Sequence, residues 1–128
     1  MTVVLDASAL LALLRGEPGG DLVKPMLDGA LVTSVNWTEV ADHYTMQSAF
    51  AGRLGVFLDK IPVQVVVADA ALALAAASLK PLTRAAGLSL GDRYCVARGA
   101  RENLTVVTAD RIWERIAEAV GVTFMFIR

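Results

Sequence analysis

A chain of 128 residues has room for one ordinary domain with one shared core, so two independently folding units are not expected. With 55% hydrophobic and 20% charged residues it is too apolar and too weakly charged for disorder, and a compact globular domain is the expectation. Twelve basic side chains against 13 acidic ones give a formal net charge of −1, which excludes a global basic field; any polyanion would have to meet a local patch.

Met1 runs directly into the apolar triplet Val3-Val4-Leu5, with no basic leader and no small-residue cleavage site, so no export is expected. The triplet reads as a short strand closed by Asp6, a favoured N-cap, ahead of a helix over residues 7–14. Gly16, Pro18, Gly19 and Gly20 break the chain before Leu22, Val23, Met26 and Leu27 recur at helical spacing. Residues 30–33 predict a second strand, running into Ser34-Val35-Asn36-Trp37-Thr38-Glu39. Asn36 and Glu39 stand at capping-box spacing, which places Glu39 in the first turn of the next helix. Residues 40–58 read as helical with a break near Gly52.

Residues 63–67, β-branched and preceded by Pro62, predict a third strand, and Asp69 caps an Ala/Leu helix over 70–79. The apolar stretch 61–79 has the length of a membrane span, but Pro62, Gln64 and Asp69 interrupt it, so strand plus helix is the better reading. Pro81 and Gly87 bracket a loop or a short helical piece. Ser89 then caps a helix with Asp92 in its first turn and an end near Gly99 to Asn103. That helix carries the one cysteine, Cys95, which excludes an internal disulfide; with no Cys/His cluster of zinc type, a reducing cytoplasm fits best. Residues 104–108 predict a strand, Asp110 begins a helix over 111–120, and 122–127 is a last strand. Strands alternating with helices imply an α/β domain with a mostly parallel sheet.

In such sheets ligands collect outside the carboxyl ends of the strands, where loops lead into helices. Asp6, Glu39 and Asp110 each stand at or just past a predicted strand end, and Asp92 opens a helix, so at least three face one edge. Converging carboxylates repel one another unless a cation neutralises them. An all-oxygen set without His or Cys calls for a hard cation, Mg²⁺ or Mn²⁺, which serves phosphodiester hydrolysis. No competing array is present: the lone His43 has no nucleophile partner, Gly-x-Ser-x-Gly is absent, and no phosphate-cradling glycine loop appears.

Each acid taken singly has an equally good structural reading, as an N-cap (Asp6, Asp110) or as a first-turn acid favoured by the helix dipole (Glu39, Asp92). Asp69 is the internal control, since it too follows a strand and precedes a helix, yet nothing else recommends it. His43, Trp37 and Trp113 read as packing residues. Of the scattered arginines, Arg93 beside Asp92 is the first choice for a phosphate contact.

The segments Val3-Val4-Leu5-Asp6-Ala7-Ser8-Ala9, Thr33-Ser34-Val35-Asn36-Trp37-Thr38-Glu39-Val40, Leu88-Ser89-Leu90-Gly91-Asp92-Arg93-Tyr94-Cys95-Val96-Ala97 and Val106-Val107-Thr108-Ala109-Asp110 together resemble the PIN-domain family, and within it the short VapC-type toxins of toxin–antitoxin pairs. They occur in the family's order and spread over nearly the whole chain, which implies a single PIN domain over residues 1–128. The resemblance implies a three-layer α/β/α sandwich with a central five-stranded parallel sheet, usually homodimeric. It also implies a Mg²⁺- or Mn²⁺-dependent endoribonuclease acting on single-stranded or looped RNA, inhibited by a small antitoxin. Carried over residue by residue, Asp6, Asp92 and Asp110 correspond to metal ligands, Glu39 to a ligand or an activator of the attacking water, and Ser8 and Thr108 to supporting hydroxyls. Residues 46–62 carry no recognised motif, which leaves target choice open. A non-cleaving PIN-like module that binds RNA or protein is the alternative. A phosphoryl-transfer enzyme with a phosphorylated strand-end Asp fits poorly, because Asp6-Ala7-Ser8 lacks the second acid of Asp-x-Asp and no lysine follows a late strand.

Overall fold

The structure is a computed structural model that describes residues 1–128. Five short strands, β1 (Val4–Leu5), β2 (Leu31–Thr33), β3 (Gln64–Val66), β4 (Val106–Thr108) and β5 (Phe124–Phe126), form one sheet. Their order is β3-β2-β1-β4-β5 and every pair is parallel, so the sheet is wholly rather than mostly parallel. Parallel neighbours need crossovers. These are α1 (Ala7–Arg15) and α2 (Gly20–Val23) after β1, then α3 (Ser34–Thr45) and α4 (Leu54–Asp59) after β2. After β3 come α5 (Ala70–Ser78), α6 (Lys80–Thr83) and α7 (Leu90–Glu102), with α8 (Ala117–Val120) ahead of β5.

Alternate strand residues feed opposite faces. Val3, Leu5, Val32 and Val107 pack with Ala9, Leu10, Val40 and Tyr44 from α1 and α3. Val4, Leu31, Val66 and Val106 pack with Cys95 and Val96 from α7 and with Trp113. Leu72 and Ala76 of α5 meet Ala97 on the outer side of α7. Burial of both faces accounts for the nearly continuous apolar strand sequences that the chain shows.

Two segments depart from the sequence expectation. The helix expected over 40–58 stops at Thr45, and a 3-10 turn at Ser48–Phe50 precedes Gly52 in the left-handed region (φ 70°) and then α4. The helix expected over 111–120 is a 3-10 helix, Arg111–Ile116, followed by the short α8. Three-residue winding stacks Trp113 above Ile116, and both are buried. The apolar stretch 61–79 divides into β3 and α5 as expected, and no helix is long and apolar enough to cross a membrane.

The chain lays down β1, β2 and β3 outward in one direction, then returns past β1 to place β4 and β5 on its other side. The crevice beyond the carboxyl ends of β1 and β4 is therefore the point where strand order reverses, the preferred ligand position in open parallel sheets.

Candidate active site

Asp6 leaves β1 in an extended conformation and caps α1, accepting the Ala9 amide at 2.8 Å. Ser8 Oγ lies 2.8 Å from both Asp6 oxygens, and Thr108 Oγ1 donates to Oδ2 at 2.6 Å. Ser8 Oγ in turn accepts the Ala109 amide at 3.0 Å, and Thr108 Oγ1 accepts the Asp110 amide at 3.1 Å. The two hydroxyls thus tie the start of α1 to the end of β4 and hold one carboxylate between them. Burial pushes the Asp6 carboxyl up to about 6 from an ordinary 3.8, although the hydrogen bonds from Thr108, Ala9 and Ser8 oppose the rise.

Glu39 sits one turn further into its helix than its spacing from Asn36 suggests. Thr33 is the cap of α3, taking the Asn36 amide at 3.1 Å, so Asn36 is the first-turn residue and Glu39 belongs to the second turn. The Asn36 carboxamide is fully buried and its Nδ2 donates to Glu39 Oε2 at 3.0 Å and to the Gly91 carbonyl at 2.9 Å. Burial raises the Glu39 carboxyl, and the charges of Asp92 and Asp42 add to the rise.

At the start of α7, Ser89 and Asp92 form the expected capping box, with the Ser89 amide donating to Asp92 Oδ2 at 2.9 Å and the Asp92 amide to Ser89 Oγ at 3.1 Å. Burial lifts the Asp92 carboxyl, and Asp110 lifts it further. Asp110 itself is exposed and caps the 3-10 helix through the Ile112 amide at 3.1 Å.

The charge of Asp92 is thus felt by Asp6 and by Glu39, and that of Asp110 by Asp92. Beneath them the buried thiol of Cys95 is driven well above its ordinary range by burial and by the charges of Asp6, Asp92 and Glu39, which makes it an inert core group. None of the four acids takes part in an ion pair. Asp69 shows the contrast: it caps α5 through the Leu72 amide, pairs with Arg101 at 3.0 Å, and is held below its ordinary range mainly by that arginine. Asp69 is neutralised by a basic partner, and the four acids of the crevice have none.

A family model described as the PIN domain matches residues 3–119. The chain belongs to the PIN-domain family. No curated protein sequence matches it. Solved structures that share this PIN fold include the DNA-bound VapBC of Salmonella typhimurium, at 16% identity and a TM-score of 0.75, covering 100% of this chain and 99% of that one. FitAcB of Neisseria gonorrhoeae follows at 18% identity and 0.73, covering 99% and 98%. A toxin–antitoxin complex of Klebsiella pneumoniae has 12% identity and 0.73, covering 98% of each chain.

Within the PIN domain the structure corrects one residue. Arg93 follows Asp92 in sequence but points away from the crevice: it is buried, and its Nη1 donates to the Ala76 carbonyl at 3.0 Å, pinning α7 to α5. One residue along a helix turns a side chain by about 100°, so neighbours in sequence serve different faces. His43 and Trp113 pack as expected, His43 edge-on to Tyr44 and Trp113 edge-on to Phe124.

Sequence reasoning missed two positions as parts of the site. Asn36 registered only as a possible cap. Gly91 did not register at all, yet a β-carbon there would collide with the Glu39 carboxylate. The only sequence signal for either is a small residue directly before Asp92 and an amide three before Glu39.

The donor set suits a hard divalent cation: it is carboxylate oxygen throughout, carries no counter-cation, and Asp6 retains free acceptor capacity. The Ala9 amide and the Ser8 and Thr108 hydroxyls supply three donors against roughly four acceptor directions of a carboxylate. No three of the acids stand close enough to form a ready-made ligand cluster.

Proposed function

We propose that this PIN domain is a Mg²⁺- or Mn²⁺-dependent endoribonuclease and the toxin member of a toxin–antitoxin pair, working in the cytoplasm as a homodimer held in check by a small antitoxin. One observation carries the nuclease reading: around the β1/β4 crevice Asp6 and Glu39 each feel the charge of Asp92, and Asp92 that of Asp110, without a single basic partner among the four. Such an arrangement costs stability unless a cation completes it. The toxin reading draws support from the fold shared, over essentially whole chains, with the VapBC and toxin–antitoxin complexes.

When bound, the cation would supply positive charge to polarise a phosphoryl oxygen and to acidify water. Asp6, Asp92 and Asp110 would hold it, with Ser8 and Thr108 fixing the Asp6 carboxylate as they do now. Glu39, raised by burial, suits a general base that takes a proton from the attacking water as the phosphodiester bond opens. Attack of that water breaks the bond from phosphorus to the leaving ribose oxygen, which takes a proton from solvent as it departs.

The non-cleaving alternative has one observation in its favour, the open spacing of the acids. The deciding experiment is digestion of a structured total-RNA preparation with Mg²⁺ or Mn²⁺, with chelator, and with Asp6→Asn in parallel. Discrete fragments that require both metal and the parent protein support the enzyme. Absence of cleavage together with absence of Mn²⁺ binding by calorimetry would favour the binding module.

A further inference from the structure

Asn36 occupies an unusual position for a residue that merely caps a helix. It is fully buried, and its side-chain oxygen and nitrogen look in different directions. The oxygen accepts from the Thr33 hydroxyl and belongs to the cap of α3. The nitrogen has left the cap: its two hydrogens go to Glu39 Oε2 at 3.0 Å and, across 55 residues of chain, to the Gly91 carbonyl at 2.9 Å. A primary amide has two donors, so both are spent, with one on each of the two helices that bring acids to the crevice. Gly91 closes the arrangement from the other side, because any side chain there would occupy the space of the Glu39 carboxylate. Glu39 is therefore gripped between an amide donor on its own helix and the bare backbone of the helix that carries Asp92.

We propose that Asn36 is a positioning residue for the hydrolytic reaction: by donating to both Glu39 and the Gly91 carbonyl, it sets the Glu39 carboxylate in place relative to Asp92. The inference rests on the nuclease reading and adds a residue to it. Asn36 touches neither substrate nor cation; it acts through Glu39. A carboxylate freed from its donor keeps its charge but loses its fixed direction, and loss of such a supporting hydrogen bond typically costs 10- to 100-fold in activity or metal affinity.

The test is a double-mutant cycle. Asn36→Asp is nearly isosteric, keeps the oxygen that accepts from Thr33, and removes both donors. It is compared with parent, Glu39→Gln, and Asn36→Asp/Glu39→Gln, by thermal unfolding, by calorimetric titration with Mn²⁺, and by initial cleavage rates on structured total RNA at limiting and saturating concentrations. Because the Asp variant also sets a second carboxylate against Glu39, Asn36→Ser, whose hydroxyl is too short to reach Glu39, is run beside it in both backgrounds and must give the same result. The expected result is a fall of about 10- to 100-fold in the saturating rate, with the half-saturating RNA concentration little changed. In the Glu39→Gln background the same substitution should change the rate by less than about 2-fold, because the residue it acts through is already gone. An unchanged saturating rate in Asn36→Asp, or an equal loss in both backgrounds, overturns the proposal and leaves Asn36 a structural cap. A Glu39→Gln protein as active as the parent overturns it too, by removing Glu39 from the chemistry. If the parent cuts nothing, the nuclease reading fails and takes this role for Asn36 with it, whereas a parent that cuts, beside an Asn36→Asp protein that cuts equally fast, rejects the inference alone.

Discussion

Thr108 Oγ1 donates to Asp6 Oδ2 at 2.6 Å, a bond between residues 102 positions apart that joins the ends of β4 and β1 across the reversal in strand order. The same hydroxyl accepts the Asp110 amide at 3.1 Å, so one side chain orients two acids of the crevice. Thr108→Val keeps the shape and removes both functions. Because the site is buried and the acceptor is charged, the expected cost is about 1–3 kcal/mol of stability at pH 7, measured by urea unfolding, with weaker Mn²⁺ binding by calorimetry. Wild-type stability and affinity in this variant would show that the hydroxyl does not hold the carboxylate.

The raised carboxyls set a pH dependence with a definite sign. Asp6 sits at about 6 in the folded chain against an ordinary 3.8. A carboxyl raised by folding contributes stability that is fully present below its unfolded value and lost as pH rises through its folded value. Metal-free protein should therefore lose stability between pH 4 and pH 7, by on the order of 3 kcal/mol from Asp6 alone at about 1.36 kcal/mol per unit, with Glu39 and Asp92 acting in the same direction. Asp69, held low by Arg101, opposes this only in more acid solution. Asp6→Asn should flatten the profile and leave the metal-free protein steadier at pH 7. Saturating Mn²⁺ should stabilise the parent more at pH 7 than at pH 5, since protons compete for the same oxygens. Thermal unfolding from pH 4 to 8, with chelator and with Mn²⁺, checks each sign.

Arg93 yields a prediction of the opposite kind. Its guanidinium belongs to the α5–α7 interface through the Ala76 carbonyl, so Arg93→Met should cost about 1–3 kcal/mol by leaving that buried carbonyl without its charged donor. The salt dependence of RNA binding should be unchanged, because no phosphate contact is lost. A stable variant with a shallower salt dependence would return Arg93 to the RNA interface.

What the sequence made legible follows from the range of the forces involved. Asp6, Asp69, Ser89 and Asp110 act as caps as their positions suggest, because a cap is decided within two or three residues. The alternation of apolar strands and helices likewise revealed the parallel sheet. Glu39 was misplaced by one turn because Thr33 and Asn36 both have capping chemistry, and only the backbone shows which one begins the helix. Gly91 was invisible because its role depends on Glu39, a residue brought against it by packing of α3 on α7 rather than by any local pattern. Arg93 was misassigned because adjacency to Asp92 says nothing about which side of a helix a residue faces. Residues 40–58 read as helical with a break near Gly52, but α3 stops at Thr45 and a 3-10 turn precedes α4, an arrangement fixed by the packing of Phe50 and Phe57 around Tyr44 rather than by local pattern.

Gly91→Ala separates packing against Glu39 from ordinary helix propensity. Gly91 lies in the first turn of α7 and does not adopt a positive φ, so alanine would normally stabilise the helix there by up to about 1 kcal/mol. Its β-carbon, however, would fall on the Glu39 carboxylate, which must then swing off the Asn36 donor. The expected outcome is a parent-background variant that is no more stable than wild type, or less so, and has lost most of its RNA cleavage. Placed on Glu39→Ala, the same substitution should become stabilising, since the obstructing carboxylate is gone and only propensity remains. Urea unfolding of the four proteins gives the sign in each background, and a stabilising effect of equal size in both would mean that Glu39 does not rest against position 91.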